Sequence, residues 1–96
     1  MGLLDGKLAV ITGGSRGIGK AIAKAYIAQG ANVVIADIDL ETAQSTAKEL
    51  GEAAHAIQLK VADKKDVFDK TDQIWIQFGK VDIWVNNAGI SQQIPF

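Results

Sequence analysis

The residues of this 96-residue chain that could do chemistry begin with a glycine-rich loop from Thr12 to Gly19, which reads TGGSRGIG. Gly13, Gly17 and Gly19 lie between an apolar run and a segment with helical spacing, so the loop is predicted to join a strand to the amino end of a helix. Backbone N–H groups and the helix dipole attract phosphate at such a junction. The loop therefore predicts a phosphate site. The alternative is that its glycines only make a tight turn and let the helix pack closely on the sheet.

An acidic residue further along the chain indicates which ligand carries the phosphate. Asp37 ends the second apolar run, 18 residues after Gly19, close to the interval of about 20 residues at which a carboxylate reaches a ribose diol. A carboxylate accepts hydrogen bonds from both ribose hydroxyls but repels a 2′-phosphate, so NAD is favoured. Arg16 points towards NADP, because a guanidinium in the loop could bind that phosphate. The alternative for Asp37 is that it caps a loop together with Asp39.

Other polar residues offer little chemistry. His55 is the only histidine and is flanked by alanines, so we expect it to pack half-buried in a strand rather than to act as a catalyst or metal ligand. Asp63, Asp66, Asp69 and Asp72 recur every three residues among lysines, which is typical of a solvated helix face and not of a metal site. The absence of cysteine excludes disulfides, thiolate zinc sites and a cysteine nucleophile.

Four short apolar or β-branched runs are predicted to be strands, and they cover residues 7–12, 31–36, 54–59 and 82–85. Three longer segments between them have helical spacing. The first carries Ile18, Ile22 and Ala25 at that spacing, with Gly30 placed to cap its carboxyl end.

The second and third helical segments have clearer end signals. Asp39 is placed to cap the amino end of the second, which Gly51 ends, while the third begins at Asp63 and ends at Gly79. Their apolar faces are predicted to carry Leu40, Ala43, Ala47 and Leu50 in the second and Val67, Thr71, Ile74 and Phe78 in the third.

The alternation of strands and helices predicts the fold class. Strands joined through helices of this length need crossover connections, so we expect an α/β protein with a parallel sheet. Because the strands are nearly continuous apolar runs, helices should cover both faces of that sheet. A chain of this length is expected to form one domain over residues 1–96.

The glycine loop, Asp37 and the later segment Asn86-Asn87-Ala88-Gly89 occur in one chain in the order found in the short-chain dehydrogenase/reductase family, which this sequence resembles. The resemblance covers essentially the whole chain and implies half of a doubly wound, Rossmann-like fold, with four parallel strands in the order 3-2-1-4 and three helices. It implies NAD as cofactor, with its pyrophosphate on the loop. The implied cofactor-binding residues are Gly13, Ser15, Arg16, Gly17, Ile18 and Gly19 in the loop, Asp37 and Ile38 at the ribose and adenine edge, Val61 against adenine, and Asn87, Ala88 and Gly89 alongside the cofactor.

Two features depart from the family pattern. Lys60-Val61 stands where such proteins usually have Asp-Val, which removes a carboxylate that would accept from the adenine amino group. Trp75 and Trp84 stand where smaller or polar residues are common. We expect both tryptophans to fill the core, and the alternative is that they seal surface exposed by a shortened chain.

The family's catalytic residues are not among these 96 residues. Hydride transfer in the family uses a tyrosine with a lysine four residues later and a separate serine. The single tyrosine, Tyr26, is followed four positions later by Gly30, so it is expected to be a packing residue. We assign no catalytic residue and expect the chain alone to be inactive. The favoured interpretation is the NAD-binding half of an oxidoreductase that acts on alcohols, sugars or ketones. The alternative is a non-catalytic, self-assembling structural module.

The composition and charge of the chain indicate which kinds of binding partner to expect. The net charge is −1 and the lysines are scattered, so no binding to nucleic acid or to a membrane surface is expected. The chain lacks a recognisable targeting segment or an apolar run long enough to span a bilayer, and we expect a soluble, cytoplasmic protein. The fourth strand would be a sheet edge, and the third helix alone would cover one face of the sheet. Both surfaces favour a homodimer.

Overall fold

Strands and helices alternate through residues 2–88, the part of the chain that the computed structural model describes. The elements are β1 (Leu8–Thr12), α1 (Gly17–Ala28), β2 (Asn32–Asp37), α2 (Leu40–Leu50), β3 (Ala54–Gln58), α3 (Lys64–Phe78) and β4 (Ile83–Val85). All seven correspond to predicted elements, with strand ends that agree with the prediction or differ from it by one residue.

The four strands form one parallel sheet in the order β3-β2-β1-β4. Thr12 at the end of β1 lies opposite Ala36 of β2, and Asp37 lies opposite Gln58 of β3. The carboxyl ends of β1, β2 and β3 therefore meet at one edge of the sheet. This arrangement confirms the predicted α/β class and strand order.

Two hydrophobic clusters hold the helices on opposite faces of the sheet. Successive residues of β1 point to alternate faces, so Ile11 joins the cluster under α1 and α2, whereas Val10 joins the cluster under α3. Residues of β1 are all buried, while those of the edge strands β3 and β4 are mostly half-buried. Both faces of the central strands are covered, as their unbroken apolar sequence predicts.

The ends of α2 and α3 follow the predicted signals. The side chain of Asp39 accepts a hydrogen bond from the Thr42 N–H group at 3.1 Å, and Gly51 is the carboxyl cap of α2. Asp63 and Gly79 cap α3 in the same way. The prediction for α1 is also confirmed: Gln29 is the last residue of the helix end, and Gly30 follows it with φ 94°, the conformation in which a glycine commonly ends a helix.

The buried face of α1 differs from the predicted one. Its buried residues are Gly19 and Ala23, with Ile22 half-buried, whereas Ile18 is 67% exposed and Ala25 is exposed. The small residues Gly19 and Ala23 face the sheet and let the backbones approach closely, and Ile22, Tyr26 and Ile27 pack beside them. The prediction that Ile18 and Ala25 share the inward face with Ile22 was therefore wrong.

The two tryptophans differ in burial. Trp84 of β4 is half-buried and packs against the cluster under α3, as predicted for a core-filling residue. Trp75 is 51% exposed, because the neighbouring Ile74 occupies the inward position of α3, and one residue along a helix turns the side chain by about 100°. The core-filling prediction was wrong for Trp75.

Other packing predictions agree with the structure. His55 is half-buried, and its ring meets that of Phe78 edge-on with the centroids 4.9 Å apart. Tyr26 is half-buried against the cluster under α1 and α2. Among the helices formed within residues 2–88, none has the length and apolar character needed to cross a bilayer.

Candidate functional site

A cleft of about 490 Å³ opens at the carboxyl ends of β1, β2 and β3. In open parallel sheets this is the edge at which ligands bind. Its lining comes from four segments: Gly13, Arg16, Gly17 and Ile18; Ala36, Asp37 and Ile38; Leu59, Lys60, Val61 and Ala62; and Asn87 and Ala88.

The amino end of α1, which opens into this cleft, has no side-chain cap. Asp39 and Asp63 cap α2 and α3, but Arg16 at the start of α1 makes no capping hydrogen bond, and the first turn contains no acidic residue. The first hydrogen bond of the helix runs from the Lys20 N–H group to the Arg16 carbonyl at 3.3 Å. The N–H groups of residues 17–19 come before it and have no acceptor within the helix. Free N–H groups at the positive end of a helix dipole favour an anion there.

Two positions of the loop require glycine, each for a different structural reason. A Cβ on Gly19 would lie 2.2 Å from the Gly13 carbonyl oxygen, so only glycine lets the loop and the helix come this close. Gly17 has φ 60°, and a Cβ there would meet no protein atom within 4 Å. Its substitution would therefore strain the backbone and place a side chain in open space at the mouth of the cleft.

Ser15 lies buried within the same loop. Its carbonyl accepts a 2.6 Å hydrogen bond from the Thr46 hydroxyl of α2. Its own hydroxyl is buried and has no hydrogen-bond partner within residues 2–88. Buried polar groups are nearly always paired, so this hydroxyl is a spare donor beside the uncapped end of α1.

The threonine at the end of β1 ties the loop to the segment after β4. The Thr12 hydroxyl donates to the Val85 carbonyl at 3.2 Å and accepts from the N–H groups of Asn87 at 2.9 Å and Ala88 at 3.1 Å. The Asn87 side-chain amide donates to the Gly13 carbonyl at 3.2 Å. These contacts, between residues more than 70 positions apart, hold together two walls of the cleft, the glycine loop and the segment after β4.

Charged groups gather at the end of β2. One Asp37 carboxylate oxygen accepts from the Asp39 N–H group at 3.2 Å, which holds the side chain at the mouth of the cleft. Arg16 lies 3.9 Å from the Asp39 carboxylate, and both side chains are largely exposed. Hydrogen bonds from Thr42 lower the pKa of Asp39, and the charge of Arg16 adds to this effect. The carboxylates of Asp37 and Asp39 therefore both lie close to the glycine loop.

Exposed apolar side chains line the same cleft. Ile18 is 67% exposed, Ile38 64% and Val61 42%. Exposed apolar groups that converge on one concave surface are typical of ligand pockets. A flat apolar group could be held among these three side chains.

The turn between β3 and α3 forms the far end of the cleft. The Asp66 carboxylate accepts from the Lys60 N–H group at 2.7 Å and from the Lys70 ammonium at 3.0 Å. These contacts lower the pKa of Asp66, the Lys60 hydrogen bond having the largest effect. Lys60, one of the residues that line the cleft, is therefore fixed at its backbone N–H group.

The structure brings most of the residues predicted for cofactor binding to one place. The predicted residues that line the cleft are Gly13, Arg16, Gly17, Ile18, Asp37, Ile38, Val61, Asn87 and Ala88. Ser15 and Gly19 are buried in the loop and do not line it. Gly89 lies outside the described residues. Lys60, which the family pattern places near adenine, also lines the cleft. Sequence reasoning missed Ala36, Leu59 and Ala62 as lining residues. The positions of Ala36 in β2 and of Leu59 directly after β3 were the available signal.

Comparison with known proteins gives a matching family model and several similar relatives. The family model described as short chain dehydrogenase matches residues 7–96. Sorbitol dehydrogenase of Cereibacter sphaeroides is 49% identical over 92 residues, and galactitol 2-dehydrogenase of Agrobacterium fabrum is 44% identical over 92 residues. Each alignment covers 96% of this chain but 36% of the relative. The chain thus spans about a third of the length of these relatives.

A solved structure shows the same fold. The crystal structure of 3-ketoacyl-(acyl-carrier-protein) reductase from Brucella melitensis, complexed with NADH, matches with a TM-score of 0.80 and 41% identity. The match covers 84% of this chain and 33% of that one. The sheet and helices are therefore those of a Rossmann fold.

Proposed function

Because the chain belongs to the short chain dehydrogenase family, we propose that its cleft binds NAD and that the chain is the dinucleotide-binding part of an oxidoreductase. The similar Brucella reductase was solved in complex with NADH, which supports a nicotinamide dinucleotide. When bound, the nicotinamide supplies or accepts a hydride. The observation that carries the proposal is the uncapped amino end of α1, which opens into the same cleft as Asp37.

The loop fits a pyrophosphate. The N–H groups of residues 17–19 and the positive end of α1 provide donors and charge. The unpaired Ser15 hydroxyl supplies one further donor beside them. Gly17 leaves the space that an approaching phosphate needs.

The end of β2 fits an adenosine ribose that carries free hydroxyls. Asp37 is the lining residue that can accept from both hydroxyls. A 2′-phosphate on the same ribose would be repelled by the negative charge of Asp37. Arg16, the residue that could bind such a phosphate, already lies beside the carboxylate of Asp39. These charges favour NAD over NADP.

The proposal concerns cofactor binding rather than turnover. The only tyrosine, Tyr26, is a half-buried residue of α1 with no lysine four positions later, so the 96 residues contain no Tyr-x-x-x-Lys pair. For a whole protein that contains this chain, we propose hydride transfer on an alcohol, sugar or ketone. Similarity to sorbitol and galactitol dehydrogenases supports that class.

A self-associating module is the second candidate, and one observation favours it. Within residues 2–88, β4 pairs with β1 on one side only and presents its other edge. An unpaired strand edge can pair with a second copy of the chain. We therefore propose a homodimer through β4 or through the sheet face beside α3.

Calorimetry with NAD tests the cofactor proposal. We expect Asp37→Ala to weaken NAD binding by about tenfold, because a charged acceptor of two ribose hydrogen bonds is lost. The same variant should bind NADP relatively better, since the repulsive charge is gone. Gly17→Val should weaken both dinucleotides, because its side chain enters the cleft.

Asp72→Ala is the matched control, because Asp72 is an exposed carboxylate on α3 away from the cleft. Its dinucleotide affinities should equal those of the unaltered chain. If a folded chain binds no NAD at millimolar concentration, or if Asp37→Ala leaves NAD affinity unchanged, the proposal is wrong.

A further inference from the structure

The far end of the cleft, at the end of β3, has a polar character that bears on which base it accepts. This inference rests on the proposed nucleotide function. If phosphate lies at the end of β1 and ribose at the end of β2, the base must lie near the end of β3. The strand order places these ends consecutively, and strands about 4.8 Å apart give a total span of about 10 Å. That span suits a nucleotide laid across the sheet edge.

Several polar groups at this end are already used within the protein. The Lys60 N–H group donates to Asp66, and the Lys60 carbonyl accepts from the Asp63 N–H group at 3.0 Å. The Ile38 carbonyl accepts from the Gln58 side chain at 3.1 Å. The backbone groups of Lys60 and the carbonyl of Ile38 are therefore engaged before any base arrives.

The Lys60 ammonium is the charged group that remains at this end, beside the backbone N–H groups of Val61 and Ala62. Its charge also contributes to the lowered pKa of Asp66. Within residues 2–88, the Lys60 ammonium makes no hydrogen bond or ion pair, and Lys60 lines the cleft beside the apolar side chain of Val61. An ammonium has three donors and no acceptor. It can bind acceptors on a base, but it cannot accept a hydrogen from an exocyclic amino group.

We propose that Lys60 is a specificity-determining residue that shifts the preference of the cleft towards purines with a carbonyl at C6. Such purines present O6 and N7 as adjacent acceptors, the edge that lysine and arginine recognise in guanine. Adenine presents an amino donor beside N7 instead. Ile38 and Val61 provide the apolar surface against which either ring would lie.

The test compares two dinucleotides that differ only at C6, NAD and nicotinamide hypoxanthine dinucleotide. Calorimetry should show that the unaltered chain binds the hypoxanthine form at least as tightly as NAD. Lys60→Asp replaces the donor by an acceptor, and the ratio of the two affinities should shift towards NAD by about fivefold or more. Lys60→Met, which removes the donor alone, should give an intermediate ratio.

Lys64→Met is the control, because Lys64 is an exposed lysine on α3 outside the cleft lining. Its ratio should equal that of the unaltered chain. If Lys60→Met and Lys60→Asp leave the ratio unchanged while NAD still binds, this inference fails and the proposed function stands. If Lys60→Met weakens NADP alone, the ammonium binds phosphate and the inference is also wrong. If a folded chain binds neither dinucleotide, the proposed function fails, and the inference with it.

Discussion

The replacement Thr12→Val tests whether one buried hydroxyl holds the two walls of the cleft together. Thr12 is 1% exposed, and its hydroxyl makes hydrogen bonds of 3.2, 2.9 and 3.1 Å to Val85, Asn87 and Ala88. Valine keeps the shape of the side chain and removes all of these contacts. The change therefore isolates hydrogen bonding from packing.

The expected cost follows from those contacts. A hydrogen bond of this kind contributes about 1 kcal/mol to the free energy of unfolding. The Asn87 N–H group keeps a second acceptor, the Val85 carbonyl at 3.1 Å, so we expect a loss of about 2 kcal/mol rather than the full sum. A chain of this size has a total stability of roughly 5–14 kcal/mol. The variant should therefore still fold, with a melting temperature lower by roughly 10 °C.

Urea denaturation followed by circular dichroism measures this change, and Thr71→Val provides the control. The Thr71 hydroxyl donates to the Val67 carbonyl of its own helix at 2.6 Å. In an α-helix that carbonyl is also the acceptor for the Thr71 backbone N–H group, so it keeps a partner when the hydroxyl is removed. We expect a change within about 0.5 kcal/mol for this control. If Thr12→Val costs no more than the control, the hydroxyl does not hold the walls and our account of the site geometry is wrong.

Two further predictions concern acid stability and assembly. Hydrogen bonds from the Leu8 N–H group and from Lys80 lower the pKa of Asp82. The folded pKa of Asp82 lies below the unfolded value of about 3.9, so the ionised carboxylate stabilises the fold above that value, and this stabilisation is lost as pH falls through the folded pKa. Urea midpoints measured from pH 6 to pH 2 should therefore fall less steeply for Asp82→Asn, which lacks this carboxylate, than for Asp72→Asn, which keeps it. Light scattering during size-exclusion chromatography should give twice the chain mass of 10.2 kDa, and a well-folded monomer at high concentration would count against the proposed dimer.

Much of the fold could be predicted because its signals are local. The caps of α2 and α3 depend on an aspartate and on a backbone N–H group three residues later. The apolar runs of β1 and β2 predicted buried central strands, which the burial of Val10 and Val34 confirms. Residues close in sequence carry these signals, so no knowledge of distant contacts is needed.

The rotation of α1 could not be predicted in this way. Ile18 has the hydrophobicity and spacing of a core residue, yet it is 67% exposed and lines the cleft. The close approach of Gly19 to the Gly13 carbonyl sets how the helix faces the sheet. The misplacement of Trp75 has a similar origin, since Ile74 takes the inward position on α3.

The sequence by itself determined the order of the elements, the positions of their ends, the glycine loop and the family to which the chain belongs, since all of these depend on neighbouring residues and their spacing. The tertiary structure alone decided which face of α1 is buried, that Thr12 bonds to a segment more than 70 residues away, and that the Ser15 hydroxyl is buried beside the amino end of α1. Those features depend on how distant parts of the chain pack. Packing is set by the shapes of side chains in contact, which a linear pattern does not contain.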